Sequence, residues 1–162
     1  MSTAHYVFPA SFAQQRLWFL DQLEGASAVY NLKMALRLSG PLDETSLQRA
    51  VAAVVARHES LRTSFAMRGV DVVQRVASEL EVSVQTLELY GATDIGLAEK
   101  LNELGSASFD LQQGPLLRVH LLRLAADATE HVLLLVMHHI VSDAWSAGVL
   151  YRDLAASYSA FS

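Results

Sequence analysis

HVLLLVMHHIVSDAW, residues 131–145, is the stretch that decides the fold. From Val132 to Met137 every position is apolar, whereas a strand with one wet face would alternate. Such a run reads as a strand covered on both faces, here over His131–Ile140. It is far shorter than the roughly 20 residues that cross a bilayer. A helix then begins near Asp143, with Leu150, Leu154, Tyr158 and Phe161 on one stripe. No Gly or Pro stop signal follows before Ser162.

Upstream, Leu116–Leu124 is a second strong strand, entered at Gly114-Pro115 and joined to the first by the polar turn Ala126–Glu130. Residues 30–38 alternate, with Leu32, Met34, Leu36 and Leu38 against Asn31, Lys33, Ala35 and Arg37, as a half-buried strand does. Ser39-Gly40-Pro41 ends it. Asp43 caps a helix whose stripe is Leu47, Ala50, Val51, Val54, Val55 and His58. Shorter strands are expected near 61–66, 70–76 and 81–89, and a helix near 94–106. At the start, Ser11 and Gln14 fit a capping box for a helix over 11–23. Its apolar residues, from Phe12 to Leu23, lie on more than one side and predict a largely buried helix. The fold class is α/β, a mixed β-sheet flanked by helices.

Composition narrows the function. The 162 residues carry 12 Lys+Arg against 17 Asp+Glu, a net charge of −5, which disfavours nucleic acid as a partner. With no Cys, disulfide scaffolds and thiolate metal sites are excluded. No basic or apolar leader is visible at the start, and the expectation is a cytoplasmic protein with no membrane partner. Counting Gly and leaving out Tyr, about 54% of the chain is apolar, against about 45–50% in ordinary domains. Either the core is generous or part of the surface expects a partner.

The chemistry gathers in His138-His139-Ile140-Val141-Ser142-Asp143. Neighbouring strand residues face opposite ways, so only one of the two His can look into a given cavity. The same divergence is poor geometry for one metal ion. A satisfied core histidine is the bland reading of either ring. Asp143 could orient an imidazole, cap the helix or enter a buried ion pair.

Three separated stretches resemble the condensation domains of nonribosomal peptide synthetases. SFAQQRLWFL at 11–20, RHESLRTSF at 57–65 and MHHIVSDAW at 137–145 look like the family's first, second and third core motifs, in order. Tyr30-Asn31, Leu38–Leu42, Phe109-Asp110-Leu111 and Gly114–Arg118 also match its habits. The resemblance implies a chloramphenicol-acetyltransferase-like fold of two lobes, of which residues 1–162 would be the N-terminal lobe, with the C-terminal lobe absent. It implies condensation of a donor thioester with the amine of an acceptor aminoacyl thioester. Both would ride on phosphopantetheine arms of upstream and downstream carrier proteins beside an adenylation domain, with no cofactor of the domain's own.

In that light His139 is the catalytic residue and His138 is structural, while Asp143 forms an ion pair with Arg62. Ala144 stands where the family has Gly, either as an ordinary helix start or as a narrowing of the tunnel. Arg57, His58 and Glu59 would tie a helix end to the sheet. Trp18 and Trp145 read as core aromatics, and Gln14 and Arg16 as holders of the motif loops. The lone lobe is expected to be inactive and to self-associate through an apolar face. Alternatives are a CoA-dependent HxxxD acyltransferase, an epimerisation-type relative, or a non-catalytic lobe that docks a carrier protein.

Overall fold

The computed structural model describes residues 5–25, 27–127 and 129–162, with the side chain of residue 144 left out. The reading of the first four residues, and Ala128 in the turn at 126–130, lie outside the described residues. Seven strands and four α-helices follow one another as β1 His5–Pro9, α1 Phe12–Glu24, β2 Asn31–Ser39, α2 Glu44–Arg57, β3 Thr63–Arg68, β4 Asp71–Ala77, β5 Val84–Glu88, α3 Asp94–Gly105, β6 Leu117–Arg123, β7 Glu130–His138 and α4 Ala144–Phe161. A short 3₁₀ turn, Glu59–Arg62, joins α2 to β3.

The main sheet has the order β2-β7-β6-β5, antiparallel except for the parallel β5–β6 pair, so it is mixed as expected. Strand β7 lies inside it and is buried along almost its whole length. Alternation divides its side chains between two cores. Leu133, Leu135 and Met137 pack with Leu47, Val51 and Val54 of α2 and with Leu150 and Leu154 of α4. Val132, Leu134 and Val136 pack on the other side with Trp18, Phe65, Phe109 and Leu116, beneath Leu97, Leu101 and Leu104 of α3. The unbroken apolar run is therefore two alternating patterns superposed.

The second sheet, β1-β4-β3, is antiparallel throughout and was not legible as a separate unit. Its strand β1 is exposed at all five positions and has no apolar–polar alternation to betray it. Pro9 sits there on an edge, where a missing N–H costs no ladder bond.

Caps form where the sequence places them. Ser11 and Gln14 make a reciprocal capping box on α1. Asp43 caps α2, Thr93 caps α3 and Asp143 caps α4.

Three expectations are corrected. Helix α1 buries only Trp18 and Asp21, and its outer stripe of Phe12, Phe19 and Leu23 is exposed by 90%, 50% and 83%. Spacings of seven and four residues align those three side chains on one face, so the helix is amphipathic with an apolar outer edge. Trp145 is 85% exposed and no part of a core, whereas Trp18 is 2% exposed. Finally, Arg57 and His58 reach across to Asp153 of α4, at 3.3 Å and 2.9 Å, rather than to the sheet. No helix among the described residues is long and apolar enough to cross a membrane.

Candidate functional site

Strand β7 ends at His138, two residues before the expected end, and that early stop separates the two histidines. His138 keeps the parity of Val136 and enters the second core, where it is fully buried. Its ring lies edge-on to Phe109, with centroids 6.4 Å apart, and 6.1 Å from Tyr30. Its Nδ1 accepts the N–H of Ile140 at 3.1 Å, so the proton of the neutral ring is on Nε2, which has no partner. Burial, with a smaller push from His139, lowers the pKa of His138 to about 4. The ring stays neutral at pH 7.

His139 turns outward instead. Its N–H donates to the carbonyl of Tyr30 at 2.8 Å, and the N–H of Val141 closes a turn onto the carbonyl of His138 at 3.1 Å. The imidazole is exposed, and its Nδ1 lies 2.7 Å from the carbonyl oxygen of Ser142. A carbonyl only accepts, so Nδ1 carries a proton, and in the neutral ring the lone pair is on Nε2. The ring lines a recess of about 320 Å³ whose other walls include Ala13, Gln14 and Leu17 of α1 with Ser142, Asp143 and Ser146. An imidazole tied through Nδ1 to a carbonyl, with Nε2 unpartnered among the described residues, can take a proton at Nε2 whenever the ring is neutral.

Asp143 is exposed and serves as the cap of α4. One carboxylate oxygen accepts the Ser146 N–H at 2.8 Å and the Ser146 hydroxyl at 2.7 Å. The Ser146 hydroxyl and N–H, with a smaller contribution from nearby His139, hold its carboxyl below the usual range. Arg62 goes elsewhere. Its guanidinium donates to the carbonyls of Val55 at 3.2 Å, Ala56 at 3.3 Å and Ser78 at 3.3 Å, and also to that of Ala77.

The expected Asp143–Arg62 ion pair is therefore absent among the described residues. The helix end that leaves Val55 and Ala56 carbonyls unsatisfied takes the guanidinium, and the open first turn of α4 takes the carboxylate. Ala144 is the first residue of α4, which matches the ordinary helix-start alternative.

The structure brings together His139, Asp143 and the first turn of α1, whereas His138 is buried beneath the turn and Arg62 binds backbone carbonyls at the end of α2 and beyond β4. Gln14 reaches the same turn, donating to the Ile140 carbonyl at 3.4 Å. Arg16 makes no such bond among the described residues. Sequence reasoning missed the Ser142 carbonyl that fixes the tautomer, because any residue type would supply it. The recess wall formed by Ala13 and Leu17 was also missed, since the helix read as largely buried.

Known proteins share this fold. The Condensation domain family model matches residues 4–162. The chain is 42% identical over 160 residues to chondramide synthase cmdD of Chondromyces crocatus, and 42% identical over 155 residues to malpinin synthetase of Mortierella alpina. These matches cover 96% and 94% of this chain but only 4% and 2% of the two synthetases. Among solved structures, the X-domain in complex with OxyB from teicoplanin biosynthesis matches with a TM-score of 0.84 at 34% identity, covering 98% of this chain and 34% of that one. The starter condensation domain of rhizomide synthetase RzmA matches with a TM-score of 0.85 at 25% identity, covering 96% and 39%.

Proposed function

The chain belongs to the condensation-domain family, and from that premise we propose that it is the N-terminal lobe of a domain that forms amide bonds in a cytoplasmic nonribosomal peptide synthetase. The fraction of the solved relatives that it spans, 34% and 39%, supports the lobe reading. Its partners are then the C-terminal lobe of the same domain, the carrier proteins on either side, and an adenylation domain. The phosphopantetheine arms of the carriers bring the substrates, and the domain adds no cofactor of its own.

In the reaction, the neutral amine of the acceptor attacks the carbonyl carbon of the donor thioester. A C–N bond forms, the carbonyl becomes a tetrahedral oxyanion, and its collapse breaks the C–S bond. The amine nitrogen must lose a proton, and the lone pair on Nε2 of His139 receives it. The departing thiolate takes a proton in turn, which the imidazolium can return. Thioesters are already activated, so no covalent enzyme intermediate is needed. A protonated ring would instead steady the oxyanion through its Nε2–H, so both roles would use the same nitrogen.

The single observation that carries the reading is the exposed His139 ring, locked through Nδ1 on the Ser142 carbonyl in the wall of the recess, with Nε2 unpartnered among the described residues. The test uses the chain alone and the chain extended by whatever its gene encodes after Ser162, each supplied with loaded carrier proteins. Peptide product is expected only from the extended protein. Changing His139 to Gln should lower the rate by roughly 10²–10⁴-fold. An extended protein with undiminished turnover after that change would refute the role of His139.

A second reading, a docking lobe without catalysis, is favoured by one observation: a relative 34% identical is known in complex with another protein, OxyB. Carrier binding without product, in the extended protein as well, would establish it instead.

A further inference from the structure

The turn that carries His139 is closed by several hydrogen bonds to its backbone. The N–H groups of His139, Ile140 and Val141 bond to the Tyr30 carbonyl, the His138 ring and the His138 carbonyl. The Ser142 carbonyl takes the His139 ring. The Ile140 carbonyl has one partner among the described residues, the side-chain amide of Gln14, at 3.4 Å.

The direction of that amide is fixed by its neighbours. Oε1 of Gln14 accepts the Ser11 N–H at 2.9 Å, so Nε2 is the end turned toward Ile140. The same Nε2 donates to Oε1 of Gln74 at 3.2 Å. Gln74 in turn has Nε2 on the Pro9 carbonyl at 3.1 Å, which leaves its Oε1 free to accept. Flipping either amide would set oxygen against oxygen or nitrogen against N–H, so the chain of bonds runs one way only.

It links the edge strand β1, the neighbouring strand β4, the first turn of α1 and the catalytic turn. Gln14 also walls the recess that His139 lines. We infer that Gln14 is the positioning residue of His139. It draws the Ile140 carbonyl toward α1, and through that peptide it keeps the Ser142 carbonyl within reach of Nδ1. The consequence is chemical: while the turn is held, the lone pair of the neutral ring stays on Nε2. This inference rests on the proposed role of His139.

The test reads the imidazole directly. In the ¹⁵N-labelled chain, the neutral His139 ring should give the resonances of a single tautomer protonated at Nδ1, and the Gln14 side-chain amide protons should exchange slowly. Gln14→Glu keeps an oxygen for the Ser11 N–H but has no N–H for Ile140, so it separates the cap from the tether. In that variant, with the His138 resonances in place, the His139 nitrogens should shift toward the tautomer protonated at Nε2. Gln14→Ala should give the same shift.

A His139 tautomer unchanged in the folded variants overturns the inference. So does a Gln14 amide that exchanges freely in the unmodified chain, a result that needs no variant to fold. These readouts are independent of turnover. A tautomer that answers to Gln14 in an extended protein unable to form peptide would sink the proposed function and leave this linkage standing. An unchanged tautomer in an active one would sink the linkage alone.

Discussion

Replacing His138 with Asn should make the protein's stability less sensitive to mild acid. His138 is fully buried, its Nε2 has no partner, and its pKa is lowered to about 4. In the unfolded chain the same ring titrates near 6.5. At pH 5 the unfolded state therefore binds a proton that the folded state refuses, and stability must rise with pH across that interval. The contribution is whole above about pH 6.5 and falls away as pH drops toward 4. Integrating between those values gives a loss of about 2 kcal/mol at pH 5 and about 3 kcal/mol at pH 4, relative to pH 8.

Asn is the informative replacement because its Oδ1 can take the Ile140 N–H that Nδ1 now accepts, while it cannot be protonated in this range. The smaller side chain leaves a gap beside Phe109 and Tyr30, so the variant should be less stable at every pH. The quantity of interest is the difference between the two proteins as a function of pH. Asp43, Asp127, Asp143 and Asp153, all held below the usual carboxylate range, titrate in both and cancel. So does His120, which burial pushes down in both.

Urea titrations at pH 8, 6.5 and 5 should show the gap between the two midpoints closing by roughly 1 M between the first and last, for a slope of about 2 kcal/mol per molar. Parallel curves would refute the reasoning. So would an imidazole that titrates near 6.5 in the folded chain.

Arg62→Ala should cost roughly 3 kcal/mol in the same denaturation assay, since it abandons carbonyls at the end of α2 and beyond β4 that now accept from a charged donor. Arg62→Lys should recover only part of this, because an ammonium cannot reach carbonyls on both sides as the planar fork does. Asp143→Asn should leave stability almost unchanged, because Asn caps as well as Asp, while Asp143→Ala should lower it. If Asn is as damaging as Ala, the carboxylate has a charged partner after all. The stripe of Phe12, Phe19 and Leu23 should make the chain alone self-associate in sedimentation, and Phe19→Glu with Leu23→Glu should shift it toward monomer. A monomer at high concentration before any change would count against that.

How much could be read in advance depended on whether a feature is written in side-chain periodicity. Strand β7, helix α2 and the capping box of α1 are each a pattern of residue types at fixed spacing, and each formed where expected, β7 stopping two residues short. The turn after β7 was legible as a place for chemistry, because polar residues follow directly on an apolar run. Strand β1 was not, since HYVFP carries neither alternation nor a turn signal before it, and tertiary pairing with β4 alone makes it a strand. The ion pair of Asp143 with Arg62 failed for a related reason. Both groups had unsatisfied backbone partners close by in sequence, and local caps won over the long-range pair.

The divergence of His138 and His139 was foreseen from strand alternation, yet alternation alone would have produced the wrong outcome. If β7 ran on through position 139, that side chain would share the face of Leu135 and Met137 and point toward α2 and α4. It would be one more buried histidine, facing away from the recess against α1. What exposes it is the end of the strand at His138, where the Val141 N–H folds back onto the His138 carbonyl. His138 anchors that reversal with its own ring, holding the Ile140 N–H from inside the core. A protonated ring could not accept that bond, so the neutrality enforced by burial is what keeps the turn closed. The first histidine is thus the buried anchor of the turn from which the second projects outward.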